Sequence, residues 1–551
     1  MLAAIDSTYH YPVLGRSYMD YSAFVRLATL GAFSTFLCGA QVSPPPGMPA
    51  STAARILEQA TWGPNAASIA ALQKEGFERW FQSQLTAPIS KYPNQPPTVI
   101  VGGVTKTNRD LTPVQRQFFQ YALSNPDQLR QRVAFALSEI WVVSQVGVVR
   151  SATYFPPLLN IFQKDAFGTY QQLMSDVTLN PAMGAYLDMA NNHKATGTSS
   201  PNENYGRELM QLFTLGLNNL NPDGTVVLDQ NNNPIPTFTP ATVSAMAAAL
   251  TGWTYAKTST GANNFLAPMV PVEKNGEESQ HDTTEKFLPF IGPDGQTNTI
   301  VLPPGQTAEL DLDEALTAIY SQPSLAPFIV TQLIQHLVTS NPSPQYVLDV
   351  VNVFKGTNGN LQQTVYAILT DPEARAGDNG VDYDVSNYGH FREPVLLMEN
   401  LLRGLNGAVS STSAVYNFTA NLGQGFLEEP SVFSYFSPRF QVAEGLLGPE
   451  YQLHTTQTAV TRANYIYRAI YNNMLDAGTT FDSSEFVTAA QNSAANLETA
   501  IGNRFFHGMM SDSLVAAINE ALSDPKTNTP TLQAQAALYV ALTSSEFQLM
   551  H

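Results

Sequence analysis

Cysteine is almost absent. Cys38 is the only one in 551 residues, and it stands in a segment with the features of an export signal. The chain downstream of it is therefore expected to use neither disulfides nor thiolate chemistry. Charge is also sparse, at 13% of residues, with Asn, Gln, Ser and Thr carrying much of the polarity instead. The 27 Lys and Arg are outnumbered by 45 Asp and Glu, for a formal net charge of -18. With no clustered basic stripe, that balance argues against a nucleic-acid partner. The sequence lacks a nucleotide-binding glycine loop, zinc-type Cys/His spacing and a repeat of fixed period. It also lacks a Gly-x-Ser-x-Gly elbow, which leaves serine-nucleophile hydrolysis without its usual turn.

The N-terminal region reads as a targeting segment. Arg26 precedes the apolar run Leu27 to Leu37, followed by the small residues Cys38-Gly39-Ala40, the order of a secretory signal peptide. The run falls well short of the roughly 20 apolar residues a spanning helix needs. Residues 1–40 are thus expected to be a signal, with Met19 a start that gives it normal length, and no transmembrane anchor is expected after its removal. A secreted or periplasmic location follows from this reading. Residues 41–51, with SPPPGMP, read as a stiff proline-rich linker, and residues 52–549 as one multi-helical domain, with two lobes as the other arrangement that length allows.

Along that domain, apolar residues recur at helical spacing. A helix is predicted from Ala66 to Leu85, with Leu72, Trp80 and Phe81 on one stripe. Others are predicted around QLRQRVAFALSEIWVVSQ, over Ala241 to Leu250, from Phe391 to Leu402, and in a C-terminal series from Thr456. Trp141 belongs with the core. NPDGTVVLDQNNNPIPTFTP reads as an exposed hairpin insertion over 218–239, and residues 256–308, rich in Gly, Pro, Asn and Thr, as a long irregular loop. The fold class is all-α, with a small β-hairpin insertion and that loop.

The densest polar motif runs from Asn180 to Gly216. Ser200 can cap a helix and Pro201 can open it, so a helix is predicted from there to Gly216. At about 100° per residue, Glu203, Asn204, Arg207, Glu208 and Gln211 share one arc, with Tyr205, Leu209 and Phe213 opposite. Asp188, Asn191, Asn192 and His193 precede it on a short polar loop. Groups converging from two elements are what a ligand pocket requires, whereas an i,i+4 Glu203/Arg207 pair alone suits a solvated face.

The blocks NENYGRELMQLFTLG, ALTGWTY, HDTTEKFL, PFIVTQLIQHLVTSNPSPQYV, FREPVLLMENLLRGLN and EEPSVFSYFSPRF, in that order, resemble the bacterial exported family known as domain of unknown function 1800. The resemblance implies an exported protein, often encoded beside a second exported protein of the 1501 unknown-function class, and supplies no activity. Its motif positions fall here on Asn202, Glu203, Asn204, Arg207, Glu208, Gly252, Trp253, His281, Asp282 and Lys286. Many members carry a Trp-His pair where this chain reads Glu139-Ile140-Trp141-Val142-Val143; the His is missing here, which weakens any mechanism that requires it.

Two functional readings follow. In one, the protein is an acid/base or metal-assisted hydrolase acting on an extracellular ligand. Glu203, Glu208 and His281 are then its catalytic groups, while Asn204, Arg207, Asp188, Asn191, Trp253, Asp282 and Lys286 bind the ligand. A Glu/His/Asp set would suit a divalent metal. In the other, the protein is a non-enzymatic cell-envelope scaffold or partner of a co-exported protein, and these residues form a buried structural network.

Overall fold

Two helices with no exposed face lie at the centre of the molecule. Every residue of Gln128–Ile140 and of Pro394–Gly404 is buried, as expected of helices enclosed on all sides. Both carry charged side chains, so the core contains ionisable groups as well as hydrocarbon. The first packs against Ala50–Ala60, Phe77–Thr86, Phe155–Asp165 and Leu325–Leu337, and the second against Thr112–Ser124 and Val415–Ala420. The computed structural model describes residues 47–147, 149, 151–378 and 388–550, and those from Gly47 onward cluster as one compact unit. The signal-peptide reading of residues 1–40 lies outside the described residues. Of the expected linker, Gly47 to Pro49 are described, and the first helix opens at Ala50, two residues before the predicted domain start.

The protein is mostly helical, with 22 α-helices among the described residues, and its sheets are small, none exceeding three strands. The expectation of an all-α fold therefore holds only in its coarser form. Residues 256–308 are not a plain loop: Lys286–Ile291 and Thr297–Leu302 form an antiparallel hairpin in register from Lys286↔Leu302 to Ile291↔Thr297. Lys286, Leu288 and Phe290 point inward and Phe287 outward, a period of two that short Pro- and Gly-interrupted runs conceal. A second hairpin, Thr98–Val101 with Val104–Thr107, turns at Gly102-Gly103 (φ 60° and 79°), as two-residue hairpin loops demand. In the predicted 218–239 insertion the pairing is reduced to single bridges such as Leu220↔Val226 and Leu228↔Pro234.

Several helix boundaries differ from expectation for local reasons. The helix predicted over Ala66 to Leu85 breaks at Gly76 (φ 77°) into Ala66–Glu75 and Phe77–Thr86. The motif helix spans only Asn204–Gln211. Ser200 does not cap it: Asn202 Oδ1 accepts from the Asn204 amide (2.9 Å), while the Asn202 backbone is held by the Asn192 carboxamide at 2.8 and 3.0 Å. Pro240–Ala249, opened by a Thr239/Thr242 capping box, lies against this helix, and the long hairpin lies against Pro240–Ala249. Trp141 is fully buried and stacks on Phe213, with ring centroids 4.7 Å apart.

Candidate functional site

The motif residues divide into three environments. On the outer arc of Asn204–Gln211, Arg207 Nη2 donates to Glu203 Oε2 at 2.7 Å, and Glu203 Oε1 accepts from Ser244 Oγ at 2.6 Å. Both members of the ion pair are more than a third exposed. Asn204 Nδ2 reaches Asp188 Oδ2 at 3.3 Å, and Asn191 Oδ1 accepts from Thr254 Oγ1 at 2.7 Å. Asp188 (φ 61°) and Asn191 (φ 64°) both adopt the left-handed conformation that Asp and Asn tolerate best.

The second environment is buried. His281, 2% exposed, contacts the Thr251 carbonyl through Nδ1 at 3.0 Å and Asp311 Oδ2 through Nε2 at 2.9 Å. Lys286 Nζ lies 2.6 Å from the same Asp311 oxygen and donates to Thr284 O at 2.8 Å. Asp282 folds back on Thr284, accepting from its amide and hydroxyl at 2.9 and 2.6 Å. Gly252 (φ 88°) makes this arrangement fit, because a Cβ there would lie 2.8 Å from the His281 backbone. Trp253 is sealed at 2% exposure and meets the polar loop only through its carbonyl, which accepts from the Asn191 amide at 2.7 Å. His281, Asp282 and Lys286 thus make no hydrogen bond or ion pair with Glu203 or Glu208. The inner group and the outer arc are separate assemblies, joined through the polar loop: the Asn191 amide donates to Trp253 O, the Gly252 amide to Asn192 O at 2.8 Å, and the Lys194 amide to Gln280 O at 2.9 Å.

Glu208 belongs to a third environment. Its Oε2 is buried with no hydrogen-bond partner among the described residues. Burial pushes its carboxyl up, opposed by Arg207. Its charge acts on Tyr186, as does that of Glu429, and burial with both carboxyls holds the Tyr186 phenol well above its usual range. Glu429 is 5% exposed; Oε1 accepts from Tyr435 at 3.0 Å, Oε2 has no partner, and burial raises its carboxyl to about 8.

Behind Glu429 the carboxyls continue inward. Glu139, at the end of the central Gln128–Ile140 helix, and Glu393, which opens Pro394–Gly404, both accept from Gln424 Nε2, at 3.0 and 2.6 Å. Burial raises each to about 8. His336 Nδ1 lies 3.3 Å from Glu139, and His390 Nδ1 lies 3.2 Å from Glu450. The fully buried Arg132 guanidinium is a cation among them; burial lowers its pKa, opposed by Glu393, Glu139 and Glu450, and the buried Arg462 also acts on Glu393. Among the described residues, no group of three or more His, Asp or Glu side chains is arranged to hold a metal ion. The backbone near this cluster is strained, for Leu427 (φ 66°) and Ser434 (φ 65°) are left-handed on either side of Glu429. A left-handed leucine is uncommon outside sites where the surrounding structure enforces it.

Sequence reasoning did not single out Tyr186, Glu393, Glu429 or Glu450, and read Glu139 only as part of a helix. The available signal was one or two carboxylates set into an otherwise largely apolar run, as in ALSEIWVV, HFREPVLL and GFLEEPSVF. The aromatic residues of the last block divide. Tyr435 and Phe436 are core, while Phe433 is 51% exposed.

The fold and site define a mostly helical protein with a line of carboxyls running from a surface helix into its core. The chain belongs to the family described as protein of unknown function (DUF1800), whose profile matches residues 55–549. No curated protein and no solved structure matches it. Among the described residues, no helix is long and apolar enough to cross a membrane.

Proposed function

We propose that the protein is an exported hydrolase working by acid/base chemistry, with Glu208 as the group that meets the ligand. The observation that carries this reading is the Glu208 carboxylate, which holds a buried, unpartnered oxygen at the edge of a helix whose neighbouring Glu203 and Arg207 are paired with each other. A buried acceptor without a partner costs stability, and a group retained at that cost is a candidate for a function outside the fold. Pairs of carboxyls held in unlike surroundings are the usual source of an acid and a base at one pH. Here Glu429, raised to about 8, keeps its proton at neutral pH. Glu208 is also pushed up by burial, but the Arg207 cation beside it opposes that rise, which sets it apart from Glu429. Tyr186 lies within electrostatic reach of both carboxyls. Glu208 then serves as the base toward the ligand, and Glu429 as the protonated reserve behind it. His281, with both ring nitrogens engaged inside the core, is given a positioning role for the segment that carries Trp253.

The test is a screen of nitrophenyl esters and glycosides with the wild type and with Glu208→Gln. Turnover by the wild type that falls by about 100-fold or more in the variant, with an unchanged melting temperature, supports the reading. Absence of turnover, together with a higher melting temperature for Glu208→Gln, would favour the scaffold reading, which draws support from the paired and enclosed His281, Lys286 and Asp311 side chains.

A further inference from the structure

A polar recess lies away from the motif residues, between the Thr112–Ser124 helix and the C-terminal end of the buried Pro394–Gly404 helix. It is an open groove of about 630 Å³, and no acidic residue lines it. Gln117 and Gln120 enter it from one helix, Asn65 and Asn406 from neighbouring loops, and Arg403 from its inner wall.

The side-chain amides of Gln117, Gln120 and Asn406 make no hydrogen bond among the described residues. Asn65 uses its Oδ1 on the Ser68 amide at 2.8 Å, leaving its NH₂. Arg403 is 6% exposed; Nε donates to Gly63 O at 2.6 Å and Nη1 to Leu123 O at 2.9 Å, so Nη2 is the uncommitted donor. The guanidinium is therefore locked in place by two backbone carbonyls, in a chain whose formal net charge is -18. Its nearest countercharge is Glu399, one turn earlier on the same helix. Both Glu399 oxygens are buried without a partner, and burial holds that carboxyl well above its ordinary range. Glu399 and Arg403 act on each other electrostatically, but no carboxylate lines the groove, so Arg403 meets no acidic group on that side.

From this arrangement we infer that the groove binds an acidic saccharide, a chain of hydroxyl-rich rings bearing carboxylates, of the uronic acid class. Each carboxamide presents donors and an acceptor together, which matches a sugar hydroxyl that must both donate and accept. The fixed guanidinium donor supplies a charge-assisted bond to the carboxylate. An acidic peptide would satisfy Arg403 but leave most of the amides without hydroxyl partners.

Calorimetric titration of the full protein with trigalacturonate tests this. The expected result is saturable binding that weakens by about tenfold for the methyl ester of the same trisaccharide, which removes only the charge. A similar loss of about tenfold is expected for the Gln117→Ala/Gln120→Ala protein. These two glutamines are half-buried and unbonded, so the variant keeps its fold; Arg403→Lys serves as a second variant that retains charge but loses the fork. No binding at about 10 mM ligand, equal binding of the ester and the glutamine variant, or preference for triglutamate would each overturn the assignment.

Discussion

The network around Asp311 and the cluster around Glu139 are both buried and both built from motif segments, yet their charge balance is opposite. In the first, one carboxylate meets a lysine and a histidine, both within 3 Å. In the second, Arg132 is set against Glu139, Glu393 and Glu450, Arg462 acts on Glu393, and two histidines lie beside Glu139 and Glu450, while Glu139, Glu393 and Glu429 are raised to about 8. Burial of charge is tolerated when it is paired, so the Asp311 network can serve as a structural anchor. An excess of carboxyls can be buried only by keeping protons, which leaves the second cluster chemically responsive.

The sharpest way to break this contrast is Asp311→Ala. It strands a buried lysine beside a buried histidine and is expected to cost about 3–5 kcal/mol in urea unfolding. A loss of less than about 1 kcal/mol would mean that the network is not an anchor.

The next largest effect is the pH dependence of stability. Burial raises Glu139, Glu393 and Glu429 from 4.5 to about 8, so between those limits the native state holds protons that the unfolded chain releases. This stabilisation is complete below pH 4.5 and is lost as pH rises through about 8. Melting temperature should therefore fall from pH 5 to pH 9, and Glu429→Gln should flatten the slope. A rise over that interval would refute the excess-carboxyl account.

The smallest effect is expected at Glu203→Ala. Its partner Arg207 is 46% exposed, and exposed i,i+4 pairs contribute only about 0.3–0.5 kcal/mol. A change in unfolding free energy within about 0.5 kcal/mol, with the raised carboxyls undisturbed, would place Glu203 apart from Glu208 despite their shared motif.

The helical character was legible because buried stripes repeat every three to four residues, as with Ile69 and Leu72 or with Trp80 and Gln84. Breaks within such stripes were less visible. Gly76 interrupts one, and Ser493, in extended conformation, ends Ser484–Asn492 while capping Ala494–Phe505. The inward period of Lys286, Leu288 and Phe290 was masked by Pro289 and by a lysine in a core position. At the candidate site, Glu203 and Arg207 were legible as a pair because four-residue spacing is a local rule. The convergence of Glu208 and Glu429 on Tyr186, and of Glu139 and Glu393 on Gln424, joins segments more than two hundred residues apart, which no local spacing encodes. Trp253 and His281 were recognised by motif, but their burial depends on Gly252 and on Asp311, thirty residues beyond His281.

The edge strand Leu549–Met550 pairs with His390–Phe391, and the Arg392 amide donates to Gln548 O at 2.7 Å, immediately before Glu393. Synthesis runs from the N-terminus, so this strand is made well after the stretch it pairs with. The stretch that sets Glu393 acquires its neighbouring strand only after more than 150 further residues have emerged. The backbone beside Glu393 is thereby completed only by a segment far downstream, so the carboxyl cluster cannot be fully framed until that segment has been made.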